Sequence, residues 1–321
     1  MQQPEWDDVV QARQRIAPYL KATPLYRNAQ LSSLLAADVW VKYENLQPIG
    51  AFKVRGGINL VAQLSDEERA RGVATASTGN HGQSVAYAAR AFGVPATVYV
   101  PEGANALKVA SMRALGADVV HHGRDFDDAR VECERVAAAR GVRYIHSGDE
   151  PHLIAGVATQ AIEILDELPD VDVIIVPIGG GSGAAGCCIV AKTVRPQVRV
   201  IGVQSDAAPS AYRSWVSGEV VEAPTTTAAE GLATRLPFAL PQRILRELLD
   251  DFVLVSEDEL RDATLTMIEA TRTVVELAAG STLAAGLRMR EELAGRRVAL
   301  ICTGGNVTRA QMRELMQDRT R

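Results

Sequence analysis

Lys53 stands between an aromatic and a β-branched residue in the run Pro48-Ile49-Gly50-Ala51-Phe52-Lys53-Val54-Arg55-Gly56-Gly57. An amine in apolar flanks loses water, and its pKa falls toward the range in which lysine attacks carbonyls and forms Schiff bases. The neighbouring glycines let backbone pass close to a bound group. Such flanks alone equally suit a surface lysine on a turn before a helix. What else the chain offers decides between the two.

Three further loops carry glycine between a β-rich run and a helical pattern. They are Ser77-Thr78-Gly79-Asn80-His81-Gly82, Gly179-Gly180-Gly181-Ser182-Gly183 and Thr303-Gly304-Gly305-Asn306. Loops at the carboxyl ends of parallel strands face the ligand crevice. A helix opening there turns N–H groups toward an anion. The chain therefore predicts at least two anion sites, enough for a phosphate and a carboxylate. One loop has a rival reading. Gly181-Ser182-Gly183-Ala184-Ala185-Gly186 fits the dinucleotide fingerprint, with Asp206 following after the next strand. That reading makes the protein an NAD-dependent oxidoreductase and leaves Lys53 and the STGNHG loop without a task.

The elements that must position these groups alternate nearly end to end. Strands are predicted at Val39–Lys42, Val73–Ala76, Thr97–Val100, Asp118–His121, Arg143–Ile145, Val173–Ile178, Val198–Val203, Phe252–Val255 and Val298–Cys302. Helical patterns lie between most of them, as at Gly82–Phe92, Ala104–Leu115, Asp127–Arg140 and Leu153–Leu168. Alternation on this scale predicts βαβ units and mostly parallel sheets. Ser65 with Glu68, and Ser256 with Glu259, form capping boxes that open helices. Gly218–Leu240 is too long for a plain connection and is expected to be a functional loop. The strands from Val73 to Ile145 form a compact run assigned to a small domain, residues 53–146. Residues 1–52 and 147–321 make a large, cofactor-binding domain.

Composition excludes several classes. At 321 residues with 47% hydrophobic and 23% charged side chains, the chain is ample for large cores. A net charge of −5, with no basic stripe, argues against a nucleic-acid partner. The acidic opening from Met1 to Val10 predicts no signal peptide. Val173–Ala191 lacks charge, but Pro177 and its glycines read as strand, loop and helix rather than a membrane span. Cys133, Cys187, Cys188 and Cys302 have no metal-ligand spacing and read as buried thiols in a reducing cytoplasm. His121-His122 reads as a solvated pair.

Taken in order, GAFKVRGG, STGNHG, GGGSG, Ala229-Glu230-Gly231 and TGGN resemble the fold type II pyridoxal-phosphate enzymes. Within them the chain is most similar to the threonine/serine dehydratase and serine racemase group, from Thr23-Pro24-Leu25 to the segment after TGGN. The resemblance implies two three-layer αβα domains, as in the tryptophan synthase β fold, with pyridoxal 5'-phosphate as cofactor and a small amino acid as substrate. It implies that Lys53 forms the internal aldimine and then shuttles the α-proton, that Phe52 packs beside the cofactor, and that Asn80 bonds the ring phenolic oxygen. Gly179, Gly180, Gly181, Ser182 and Gly183 would hold the phosphate, and Thr303 would meet the pyridine nitrogen. Ser77, Thr78 and His81 would grip the substrate carboxylate. A threonine hydroxyl does not force that nitrogen to be protonated, so the ring is a weaker electron sink. Loss of a β-hydroxyl with the α-proton is then the expected course, giving an aminoacrylate that hydrolyses to a 2-keto acid and ammonia. A homodimer in the cytoplasm is implied as well.

Departures from the family pattern define the alternatives. Thr78 stands where the racemases have serine and many dehydratases alanine. Its hydroxyl either caps the helix starting near Asn80 or acts on the face opposite Lys53, and the second role would make the protein a racemase. A larger hydroxy-amino acid (phenylserine, hydroxyaspartate or a hydroxyectoine derivative) is another candidate substrate, and a non-catalytic ligand-binding protein is the remaining alternative. Glu276 is followed by Leu277, where relatives usually carry proline. Some relatives bind a divalent cation near Glu230-Gly231, but Thr225, Thr226 and Thr227 supply no carboxylate, so no metal is expected. The end at Arg321 predicts no regulatory domain.

Overall fold

The computed structural model describes residues 1–317, so the last four positions of the expected large domain lie outside it. The strands are β1 (Leu25–Arg27), β2 (Asp38–Tyr43), β3 (Val73–Ala76), β4 (Ala96–Val100), β5 (Asp118–His121), β6 (Arg143–Tyr144), β7 (Val173–Pro177), β8 (Arg199–Ser205), β9 (Asp251–Val255) and β10 (Arg297–Cys302). The helices are α1 (Trp6–Ile16), α2 (Ala29–Leu35), α3 (Val54–Val61), α4 (Asp66–Arg71), α5 (Asn80–Phe92), α6 (Ala106–Ala114), α7 (Phe126–Arg140) and α8 (Pro151–Glu167). They continue with α9 (Ser182–Val194), α10 (Ser210–Ser217), α11 (Ala239–Leu248), α12 (Glu257–Thr271), α13 (Leu277–Arg288), α14 (Arg290–Leu293) and α15 (Arg309–Leu315). All nine expected strands are present, their ends shifted by no more than two residues. The tenth, β1, is only three residues long and carries no alternation that a pattern could detect.

The chain divides into two compact units, Met1–Lys21 with Phe52–Thr159, and Ala22–Ala51 with Gln160–Arg321. The sequence-based boundaries place residues 1–21, residue 52 and residues 147–159 in the other unit. Packing of α1 on α3 explains the first difference, because that contact joins residues far apart in the chain.

The first unit holds a parallel sheet of order β5-β4-β3-β6. The chain leaves β3 toward β4 and β5, then returns to place β6 on the opposite side. The strand order therefore reverses between β3 and β6, and ligands bind at such switch points. The Ser65 box is present, with Ser65 Oγ accepting from Glu68 N and Glu68 reaching back to Ser65 N.

The second unit holds a sheet of order β1-β2-β10-β7-β8-β9, parallel apart from β1. Its inner strands are near-continuous β-branched runs such as Val173-Ile174-Ile175-Val176, as strands buried on both faces require. Val41, Val173, Ile175, Val203 and Leu300 meet Ala279 and Leu283 of α13 in the main core. The order reverses between β7 and β10. The uncharged stretch Val173–Ala191 resolves into β7, a loop and most of α9, as expected. Among the described residues no helix is long and apolar enough to cross a membrane. The Ser256 box opens α12, and Arg288 clamps the same Glu259 carboxylate, holding its pKa down at about 2 against the opposing effect of burial. All four cysteines are buried and unbridged. Burial pushes the Cys133 and Cys187 thiols up to about 12, which leaves them unreactive.

Candidate active site

In the first unit the loops after β3 and β6 leave the sheet on either side of its switch point, and Lys53 belongs with them. Its backbone carbonyl accepts a 2.6 Å hydrogen bond from Ser84 Oγ of α5, which fixes the start of α3. Its amine donates to the Ser147 carbonyl at 3.1 Å and lies 5.4 Å from the centre of the Phe52 ring. Lys53 is partly exposed as a residue, yet its amine is enclosed enough that burial pushes its pKa down to about 8. A fraction of neutral amine is then present near neutral pH, as nucleophilic attack requires.

Lys42 is buried more deeply still, but its ammonium pairs with Glu163 at 2.5 Å and donates to the Thr23 carbonyl at 2.6 Å. Both contacts commit its amine to holding β2 against its neighbours, so it is not placed to meet a ligand.

The STGNHG loop opens α5. Ser77 is buried, and its Oγ accepts the Gly79 N–H at 3.2 Å. Asn80 is the first residue of the helix. His81 is buried, with Nε2 3.4 Å from the Ile145 carbonyl. A carbonyl only accepts, so the ring carries its proton on Nε2. Burial, with the nearby Lys53 charge, pushes its pKa down to about 3. Among the described residues Nδ1 is left buried without a partner. A neutral ring with an unused lone pair repels a carboxylate, so any grip His81 has on one must come from its backbone N–H.

Thr78 overturns one expectation. The N-cap position of α5 is Gly79, which has no side chain with which to cap the helix. The Gly79 φ and ψ of −143° and −135° set the residue before the helix one position later than an N-cap at Thr78 needs. Thr78→Ala is therefore expected to leave the melting temperature within about 1 °C of wild type, because no cap bond is lost. Thermal denaturation followed by circular dichroism measures this.

In the second unit the cup after β7 is made of backbone. A Cβ on Gly179 would lie 2.1 Å from the Gly231 carbonyl oxygen, so only glycine lets the two segments touch. Gly181 adopts φ of +85°, the left-handed region, and serves as N-cap of α9 with no side-chain bond. The first turn of α9 therefore turns backbone N–H groups toward the cup, in line with the helix dipole. The long loop from Gly218 forms the far wall, with Gly231 against Gly179, Thr234 Oγ1 donating to the Gly179 carbonyl and Phe238 packed at Gly180. These constraints suit a compact dianion such as a phosphate monoester.

Thr303 follows β10, the strand beside β7, and is buried. Its loop is stitched to the chain just ahead of Lys53: Gly305 N donates to the Gly50 carbonyl, Asn306 Nδ2 to the Ile49 carbonyl, and Gly304 bridges Ala51. Glu276 precedes α13, bonds Gly304 through its backbone N–H and lays its carboxylate against that glycine.

Sequence reasoning missed two features. The first is the loop His146–Glu150. It has no glycine cluster, and its signal was its position after a short strand. The second is Glu257, whose carboxylate takes hydrogen bonds from Ser205 Oγ, Thr227 Oγ1 and Ala228 N. Thr227 thus meets a carboxylate from a helix some thirty residues away in sequence, which no local pattern announces.

Each unit is built on a mostly parallel sheet with loops at its switch point, one unit carrying a desolvated lysine and the other a glycine-rich helix start, as in α/β enzymes that bind a cofactor. Residues 16–304 match the profile of the pyridoxal-phosphate dependent enzyme family, and the chain belongs to that family. Its fold is fold type II and its cofactor is pyridoxal phosphate, with which the cup and Lys53 are chemically consistent. An L-threonine ammonia-lyase of Thermotoga maritima is 38% identical over 303 residues, covering 94% of this chain and 75% of that one. An L-threo-3-hydroxyaspartate ammonia-lyase of Saccharomyces cerevisiae is also 38% identical, over 305 residues, covering 95% and 94%. The crystal structure of serine racemase from Dictyostelium discoideum superposes with a TM-score of 0.90 at 33% identity, covering 95% and 99%. The family's cofactor is pyridoxal phosphate, so the nicotinamide reading of Gly181–Gly186 falls.

Proposed function

We propose that the protein is an ammonia-lyase that removes water from a small L-β-hydroxy amino acid, serine or threonine, releasing a 2-keto acid and ammonia. The observation that carries this is Thr303, a buried neutral hydroxyl beside the phosphate cup where the pyridine nitrogen is expected. Pyridoxal phosphate, when bound, supplies an electron sink at the substrate α-carbon. A neutral hydroxyl at the nitrogen leaves that sink weak, so loss of the β-hydroxyl competes well with long-lived charge at the α-carbon.

Lys53 would hold the cofactor through its aldehyde carbon and, when free, would take the α-proton on Nζ, its amine resting on the Ser147 carbonyl. Phe52 would pack beside the ring, Asn80 would bond its phenolic oxygen, and Gly179, Gly180, Gly181, Ser182 and Gly183 would hold the phosphate. Ser77, Thr78 and the N–H groups at the start of α5 bind the substrate carboxylate, with His81 contributing its backbone. The Cα–H and Cβ–O bonds break, hydroxide leaves as water after taking up a proton, and the released enamine hydrolyses to products. We place the enzyme in the cytoplasm as a homodimer, as the family resemblance suggests.

One finding favours racemisation as a second activity. Thr78 is not the N-cap of α5, so its hydroxyl does not hold the helix start in that role. The deciding measurement pairs keto-acid release with chiral analysis, using L-serine, L-threonine, both 3-hydroxyaspartates and phenylserine. Serine or threonine is expected to give keto acid at least about tenfold faster than its enantiomer or epimer, a difference of some 1.4 kcal/mol in barrier. Racemisation of L-serine as fast as pyruvate release would instead establish the racemase reading.

A further inference from the structure

The loop between β6 and α8 does more than join two elements. Ile145 N donates to the Ala74 carbonyl of β3, which anchors its start. Glu150, buried at its end, accepts the His146 N–H at 3.3 Å and Arg143 Nη2 at 2.7 Å. Within the turn, His146 Nδ1 accepts two backbone N–H groups, from Gly148 at 3.1 Å and Asp149 at 2.8 Å. Between these fixed points lies Ser147, whose carbonyl receives the Lys53 amine.

A ring nitrogen that accepts two N–H bonds cannot itself carry a proton, so His146 is neutral with its proton on Nε2. Burial pushes its pKa down, while Asp149 and Glu150 beside it and Glu134 from α7 push up and Arg130 from α7 pushes down. Protonation of Nδ1 would break both bonds and release the turn. The Lys53 amine in turn is faced by Ser147 from this loop, Phe52 from its own segment and neutral His81 from α5.

A lysine that leaves its cofactor at every turnover must be retained in one of many side-chain conformations. A carbonyl is suited to this, since it accepts a hydrogen bond from either protonation state and never takes the proton.

We propose that His146 is a positioning residue for Lys53: its Nδ1 locks the turn that aims the Ser147 carbonyl at the lysine amine, and that carbonyl holds the amine whenever it is not bonded to the cofactor. This rests on Lys53 being the cofactor lysine. Borohydride labelling of the holoenzyme tests that premise separately.

The test uses the full-length protein freed of cofactor. The apparent pKa of Lys53 is measured by competitive acetylation with acetic anhydride and peptide mass spectrometry across pH. In His146→Leu the pKa is expected to fall by about one unit, the effect of one lost hydrogen bond to a charged group. His146→Asn, whose Oδ1 falls where Nδ1 stood, is expected within about 0.3 unit of wild type on the same scale. If the leucine variant does not fold, His146→Ala at this partly exposed position is judged by the same criterion. An unchanged Lys53 pKa in the leucine or alanine variant, or an asparagine variant shifted as far as they are, overturns the proposal. A role in stability alone would lower the melting temperature and leave the Lys53 pKa where it was.

Discussion

Lys53→Ala is expected to yield a colourless protein whose turnover falls by about 10⁴-fold, the upper end of what one acid–base group contributes. The expectation follows from what surrounds the amine. Lys42, the more deeply buried lysine, is committed to Glu163 and the Thr23 carbonyl and cannot substitute. Lys53 faces the Ser147 carbonyl, the Phe52 ring and a neutral histidine, and burial has already brought its pKa down to about 8. Reduction of the wild-type holoenzyme with borohydride, followed by peptide mapping, should place the cofactor on the peptide containing Lys53. A label on Lys42, or a coloured and active Lys53→Ala, would sink the site assignment. Family membership would be untouched by that result.

Gly181→Val should weaken pyridoxal phosphate binding by about tenfold or more, since a β-branched residue in the left-handed region costs roughly 1–2 kcal/mol. Its Cβ would also press on Pro241 at 3.0 Å and Leu245 at 3.2 Å, turning the first N–H groups of α9 away from the phosphate. Equilibrium titration of the cofactor-free protein measures the change. Asp206→Ala is the control. Asp206 is exposed after β8, where a ribose-binding carboxylate would stand in a nicotinamide enzyme, and its loss should leave turnover within about twofold, as for a surface change. An affinity unaffected by valine would mean that the phosphate is held elsewhere.

Some of this was legible in the residues themselves. Apolar runs of four to six residues alternating with helical stretches dictate a parallel α/β protein, because each pattern expresses a local backbone period. The two serine–glutamate boxes could be read for the same reason, since their hydrogen bonds span three residues. The apolar flanks of Lys53 and the GGGSG run likewise announced a desolvated amine and a backbone cup. Thr78 shows where local reading stops. A hydroxyl close to a helix start is a cap only if the chain turns at that residue, and here it turns at Gly79.

Strand order was beyond the sequence, and strand order makes the site. That β6 returns beside β3, and β10 beside β7, depends on crossovers between residues separated by tens to more than a hundred positions. Hydrophobic periodicity says which face of a strand is buried but not which strand lies next to it. Only the folded chain brings Ser147 to Lys53, Glu257 to Thr227 and the Gly231 carbonyl onto Gly179. Each of those contacts joins segments with no shared period, so its information resides in packing rather than in any stretch of sequence.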